Sequence, residues 1–440
     1  MVTKISPVLK SLLNRVTGMI KTELKLFICI AAVFLVVLFL WSGKTPFISP
    51  ETDDPQDSLS YITPPVDPGP VGDQSGVSVL HETESSENAT SSEYPHDIAG
   101  IDDVHPDDLT AIFPKTACPM ELPVEGATGW AAVTIPLYSE ADVESDVLSD
   151  FKAGQVFAII SETDDFWYVE TGDGISGWVE HVACLINLPD VIPSIVYNIT
   201  NAYSALTRSS GFEIPGVTGE KLYDAWSFNH RLLREEFIVP TLYSTSKMLY
   251  EAQQLALKAG DTIIMHEAYR AHESQQRSVR LLKELMKENE EVDDAINDGP
   301  WNLNWFIATS LSNHQRGVAF DVNLGKVISH EILHFGEVSF PRITEYEEYI
   351  MPTTIHELSP LAVIFERPVS SRSRDAWRDV PPAETMTPGA LRLQSYFDGA
   401  GFTPLASEWW HFNDLDGADI AAGLGIRGSF FIEDILSVLP

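Results

Sequence analysis

The sequence predicts an α+β domain, a small antiparallel sheet with flanking helices, preceded by a small all-β barrel and an N-terminal transmembrane helix. Three observations carry this expectation. One uninterrupted apolar run stands near the start of the chain. A long acidic segment then gives way to short apolar runs separated by turn residues. Beyond these, helical and strand-like periods alternate to the end. At 440 residues the chain has room for two folded units plus non-globular sequence.

Residues 26–41 read LFICIAAVFLVVLFLW, without charge or proline. Extended through Ser42 and Gly43, the run approaches the ~20 residues that cross a bilayer. Lys4, Lys10, Arg15, Lys21 and Lys25 precede it, so residues 1–25 are expected to stay cytoplasmic. A cleaved signal peptide is the competing reading. The long preceding region, and the lack of a small-x-small site after the run, favour an uncleaved anchor over residues 26–43. The expected location is the cell membrane, single-pass, with the remainder of the chain outside.

Residues 44–115 read as a disordered linker. Between 51 and 114 there is no Lys or Arg, while Asp, Glu, Pro, Ser and Gly are frequent. Such a composition cannot offset the entropy of ordering. Asn88-Ala89-Thr90 matches a glycosylation acceptor, a pattern common by chance. The formal net charge of -36 argues against a nucleic-acid partner, which needs a basic footprint. Of the three cysteines, Cys29 lies in the apolar run, and Cys118 and Cys184 bracket the next segment. Spacing leaves open whether those two pair or stay free thiols.

Residues 120–186 carry the barrel signature. Strands are expected over 130–138, 155–161 and 166–170, and Gly172-Asp173-Gly174 turns the chain into Gly177-Trp178-Val179. From residue 187 onward the pattern is α+β. Met248, Leu249, Ala252, Leu255 and Ala256 recur at helical spacing, with Gly260 as the stop, and residues 262–265 follow as a buried strand. Val279, Leu282, Leu285 and Met286 mark a second helix, and Thr387-Pro388 opens a third that Gly401 ends.

Two segments carry chemistry. In Ser312-Asn313-His314-Gln315-Arg316-Gly317-Val318-Ala319-Phe320-Asp321, the His offers a neutral nitrogen and the Asp an anionic oxygen, both good metal donors. Gly317 allows a turn between them, and Asp321 falls on a strand beside the small Ala319. In Glu408-Trp409-Trp410-His411-Phe412 a carboxylate and an imidazole stand among three aromatics. A Glu buried there has its pKa raised towards that of a neutral-pH general base. On a regular strand, however, positions i and i+3 oppose each other, so spacing alone does not bring Glu408 and His411 together.

S-x-H-x-x-G-x-A-x-D followed by E-x-x-H with Trp before the His resembles the zinc D,D-peptidase superfamily, which includes D-Ala-D-Ala dipeptidases of the vancomycin-resistance type and D,D-carboxypeptidases. The resemblance covers roughly residues 186–415, and Glu408-Trp409-Trp410-His411-Phe412 looks most like the dipeptidase branch. It implies one zinc ion on His314, Asp321 and His411, with Glu408 activating the water and Arg270 stabilising the tetrahedral intermediate. Ser312, Gln275 and Tyr269 sit at motif positions for substrate binding. The substrate class it implies is D-Ala-D-Ala, as free dipeptide or as the terminus of a peptidoglycan stem. Residues 120–186 resemble the bacterial Src-homology-3-type domain, which implies binding to cell-wall peptide or polymer on the outer side of the membrane. The departures are Glu267 where the family usually has Asp, Ala271 where it often has Pro, and Ile350-Met351-Pro352-Thr353 where the dipeptidases have an acid. The missing acid turns the expectation towards a longer peptide.

Two alternatives come from other classes. One is a non-catalytic wall-binding protein with a relic zinc fold. The other uses His330-Glu331-Ile332-Leu333-His334, a full match to the H-E-x-x-H of helical zinc proteases. Gly325 and Gly336 bracket that stretch too closely for a long helix, and Glu337 and Phe340 replace the Gly and third His of the extended motif.

Overall fold

The computed structural model describes residues 120–336, 338–432 and 434–438. The expected membrane span at 26–43, the flanking segments 1–25 and 44–115, and Cys29, Asn88 and Cys118 all lie outside the described residues. Chain contacts divide the protein into Met1–Pro95 and His96–Pro440, and every described residue belongs to the second unit.

The first strands are β1 (Thr128–Ala131), β2 (Ile135–Tyr138), β3 (Val147–Phe151), β4 (Val156–Thr163), β5 (Phe166–Glu170), β6 (Ser176–Glu180) and β7 (Cys184–Asn187). The expected strand over 130–138 is therefore two, broken at residues 132–134. Inward residues alternate along β5, where Trp167 and Val169 are fully buried. After β8 (Val196–Tyr197) come two short hairpins, β9 (Arg208–Ser209) with β10 (Phe212–Glu213) and β11 (Trp226–Asn229) with β12 (Arg234–Phe237). β13 (Pro240–Leu242) leads into α1 (Tyr243–Lys258), and β14 (Asp261–Glu267) into α2 (His272–Glu288). The long strands β15 (Ala319–Phe335) and β16 (Val338–Glu348) follow, then α3 (Pro388–Gly399), β17 (Thr403–Leu405), β18 (Glu408–Asn413) and α4 (Leu415–Gly423). Thr387 caps α3 by accepting from Ala390 N at 3.2 Å.

These strands form two large sheets, and the expected fold class does not hold. A small separate barrel and a small sheet were expected. Instead, an eight-stranded sheet runs β13-β7-β1-β4-β5-β6-β2-β3, and a six-stranded sheet runs β17-β18-β15-β14-β8 with β16 on β15. The result is a mixed α/β architecture with large, mainly antiparallel sheets. The reason lies in β7. All four of its residues are buried, so it has no solvent face, and it pairs with β1 on one side and β13 on the other. The would-be barrel therefore continues into the chain beyond residue 187. Among the described residues, no helix is long and apolar enough to cross a membrane. Cys184 is a free, fully buried thiol.

The chain end ties the two sheets together. Phe430 stacks on Tyr269 at 5.4 Å, Trp130 donates to Asp434 O at 3.2 Å, and Val438 N reaches Gly126 O at 2.9 Å. Gly428, at φ 61°, passes so close to Gln315 that a Cβ would sit 2.3 Å from its carbonyl oxygen.

Glu121 fastens the start of the described chain to α1. It accepts from Ser194 N at 2.9 Å, from the Ser194 hydroxyl, and from Gln254 Nε2 at 3.3 Å. Burial nevertheless pushes its carboxyl up to about 7, with the Ser194 bonds pulling back. Between about pH 4.5 and about 7 the folded protein thus holds a proton that the unfolded chain has lost. Stability is expected to fall as pH rises through that window, on the order of 3 kcal/mol in all. Denaturant unfolding at several pH values checks this, and Glu121→Gln should flatten the dependence.

Candidate metal centre

Three sheet neighbours set the site in one row. Glu267 on β14 pairs with Asp321 on β15, and Asp321 pairs with His411 on β18. Cross-strand partners carry their side chains on the same face, about 4.5–5.5 Å apart at Cβ. Glu408 joins that face through an irregularity. The β17–β18 register runs Pro404↔Phe412 and then jumps to Leu405↔Glu408, which breaks the alternation between Glu408 and His411. The Glu408 carboxylate consequently stands 3.6 Å from His411 Nδ1.

His314 arrives from a different element, the one-turn helix Asn313–Arg316. Ser312 and Gln315 form its capping box: Ser312 Oγ accepts from His314 N at 3.3 Å, and Gln315 Oε1 accepts from Ser312 N at 2.6 Å. Gly317 ends the turn at φ 69°, where an added Cβ would meet Leu185 at 2.9 Å and Leu242 N at 3.0 Å. Its carbonyl accepts from Leu242 N at 2.8 Å and from Thr241 Oγ1 at 2.7 Å. The turn bearing His314 is thus clamped onto β13 of the other sheet.

Hydrogen-bond logic assigns the ring nitrogens. His314 Nδ1 faces the Ala268 carbonyl at 2.7 Å, so it carries the proton and Nε2 offers a lone pair. Arg316 can only donate, so Asn313 turns its Oδ1 towards Arg316 Nη1 at 3.4 Å and its Nδ2 towards Asn413 Oδ1 at 2.8 Å. Asn413 Oδ1 then receives His411 Nε2–H at 3.1 Å, which leaves the lone pair on Nδ1. His314 Nε2 lies 3.1 Å from His411 Nδ1 and 3.2 Å from Asp321 Oδ1, and His411 Nδ1 lies 2.9 Å from that same oxygen. Three acceptor atoms in a triangle repel one another unless a cation or a proton joins them. A tetrahedral ion with ligands at about 2.0–2.2 Å has edges of roughly 3.3–3.6 Å, so a few tenths of an ångström of relaxation admits one. His314, Asp321 and His411 are a buried group that could hold a metal ion.

The surroundings set the charges. Burial would raise the Asp321 carboxyl, but the imidazoles of His314, His356 and His411 around it hold it well below the usual range. Burial lowers His314. At His411 burial is outweighed by Asp321, and its pKa rises. Burial pushes Glu408 up to about 8, with the Asp321 charge adding and His411 and Arg270 opposing. Glu267, Asp321 and His356 form a second buried donor group. Its demand for positive charge is met by the Arg270 guanidinium, which bonds Glu267 Oε2 through Nε at 2.8 Å and Asp321 Oδ2 through Nη2 at 3.1 Å.

The sequence-predicted residues fall into three groups. His314, Asp321, His411, Glu408 and Arg270 converge. Gln275 accepts from Arg270 Nη1 at 2.6 Å and donates to Ala308 O at 2.8 Å, and Ser312 is a cap. Tyr269 donates to Phe430 O at 2.7 Å. All three candidate substrate contacts therefore spend polar atoms within the protein. His330, Glu331 and His334 lie on β15, not on a helix. Glu331 pairs with Arg342 at 3.1 Å and His334 with Ser339 at 2.9 Å. Four residues of strand separate the two His by roughly 13 Å, too far to share an ion.

Two site residues escaped the sequence reading. Asn413 stands at i+2 from His411, a same-face position that the strand period signals. His356 follows the stretch compared with the dipeptidase acid and matches no motif. No protein-family model matches this chain, and no curated protein matches it.

One divalent metal ion per chain is the expected stoichiometry. His314→Ala or His411→Ala should abolish it, and Asn413→Ala should weaken binding about tenfold to a hundredfold by freeing the imidazole. His330→Ala with His334→Ala should leave it unchanged. Metal content after dialysis and chelator competition measure all three.

Proposed function

We propose that this protein is a zinc-dependent peptidase acting on peptides that end in D-Ala-D-Ala. The observation that carries the reading is the position of Glu408: a buried carboxyl pushed up to about 8, 3.6 Å from a nitrogen of the His314–Asp321–His411 group. A metal trap needs no such group, whereas hydrolysis needs a base there. Two imidazoles and one carboxylate suit zinc, and three protein ligands leave its fourth position open. The motif resemblance supplies the substrate class, and the absent dipeptidase acid favours a stem peptide over the free dipeptide.

Zinc held by these residues would polarise the scissile carbonyl and the attacking water. Glu408 takes the proton from that water as it attacks and returns it to the departing amine. The reach of Arg270 is limited by its own bonds. Of its five N–H groups, Nε and the Nη2 pair serve Glu267 and Asp321, and one Nη1–H serves Gln275. One Nη1–H is left for the developing oxyanion, where a fixed cation stabilises charge effectively. Gln275, anchored on Ala308, aims that group.

The test incubates the zinc-loaded full chain with D-Ala-D-Ala and, separately, with a pentapeptide ending in it, and analyses the products. Release of D-Ala from the pentapeptide is expected, and no cleavage of either substrate would overturn the reading. Glu408→Gln should lower kcat by about 10²–10⁴ with metal content retained. Because the base works ionised, kcat/KM should fall as pH drops through the pKa of Glu408. The nearby dication draws that midpoint below the metal-free value of about 8. Glu408→Gln should erase this acid limb.

A further inference from the structure

His356 is a buried imidazole that the mechanism above does not use. Its side chain is 5% exposed, and Nε2 lies 3.1 Å from Asp321 Oδ2. Nδ1 has no partner among the described residues. Among the described residues, the one hydrogen bond of this imidazole goes to the Asp321 carboxylate. The ring is packed edge-on to Trp410 at 6.0 Å.

The backbone there is over-determined. His356 has φ 62°, one of three described non-glycine residues in the left-handed region. Such a conformation costs on the order of 1–3 kcal/mol and persists where its surroundings enforce it. The enforcement is visible. Arg208 N donates to His356 O at 3.0 Å, and Leu358 N donates to Arg208 O at 2.8 Å. Ser209 Oγ bonds Leu358 O at 2.8 Å, and Gly211 N reaches the Glu357 carboxylate at 3.2 Å. Residues 356–358 are thus stitched to β9 and its turn.

We infer that His356 is a positioning residue that keeps Asp321 a one-oxygen metal ligand. Asp321 Oδ1 faces His314 Nε2 and His411 Nδ1, while Oδ2 receives His356 at 3.1 Å and Arg270 Nη2 at 3.1 Å. With two donors on Oδ2, that oxygen cannot swing onto the ion. The coordination position that a two-oxygen aspartate would fill stays free for water or substrate. Arg270 alone does not secure this, because the same guanidinium is shared with Glu267 and Gln275. Hydrogen-bonding partners of a ligating carboxylate orient it in this way.

The inference rests on the metal-site reading, and its test needs no turnover. Zinc affinity is measured by chelator competition on the full chain and on His356→Ala and His356→Gln. Cobalt(II) replaces zinc to report coordination, since its visible bands weaken when a fourth ligand becomes a fifth. His356→Ala should weaken zinc binding about tenfold to a hundredfold and lower the cobalt absorption. His356→Gln, whose amide N–H can reach the place of Nε2–H, should restore most of both. An unchanged zinc Kd with an unchanged cobalt spectrum in His356→Ala would overturn the inference. So would loss in His356→Gln equal to that in His356→Ala, because the packing of the imidazole would then be the cause. Should wild type bind zinc normally yet cleave neither substrate, the peptidase reading fails and this inference stands.

Discussion

The carboxylate of Asp321 is the charge on which the site is organised. It is 1% exposed, and an isolated carboxylate so placed would be costly to keep ionised. Two donors, Arg270 and His356, offset part of that cost, and a cation between Oδ1 and the two facing imidazoles would offset the rest. His314 and His411 face one oxygen, and His356 and Arg270 the other. Each of these is in turn held by something that is not a ligand: the Ala268 carbonyl, Asn413, the β9 stitching, and Glu267 with Gln275. Removing the central charge would leave a buried guanidinium and three imidazoles with one fewer partner each. The site is thus one connected polar network, in which partial satisfaction is worse than none.

The same network explains why the two sheets are joined where they are. The turn carrying His314 is short and contributes little core of its own. It is positioned by Gly317 against Leu185 and β13, and by Gly428 against Gln315. Both contacts depend on a backbone without a side chain in the left-handed region. The strands of the eight-stranded sheet therefore also brace the turn that carries His314.

Some of this was legible in the sequence. The helices from 243, 272 and 388 followed from apolar spacing and caps, because such periods are local. His314, Asp321, Glu408 and His411 could be picked out as donors grouped in two short segments, and Arg270 came from the motif resemblance alone. Strand pairing was not legible in the same way. β7 reads as an ordinary short apolar run, and only its second partner, more than fifty residues later, turns a small barrel into an eight-stranded sheet. The H-E-x-x-H match shows the same limit. Its meaning depends on helix or strand, and β16 decides for strand by pairing along its whole length.

The sequence by itself determined which groups exist: two imidazoles, two carboxylates and a guanidinium, at spacings that do not bring them together. Only the tertiary structure decided that they meet. A register break in β18, opposite Pro404 and Leu405, turns Glu408 to the face of His411, and cross-strand register sets Glu267, Asp321 and His411 in one row. It also decided on His356, which no pattern announces. Its role comes from a strained backbone held by β9, a segment nearly 150 residues earlier in the chain. Local residue types fix the chemistry available, while long-range hydrogen bonding fixes which of it shares a pocket.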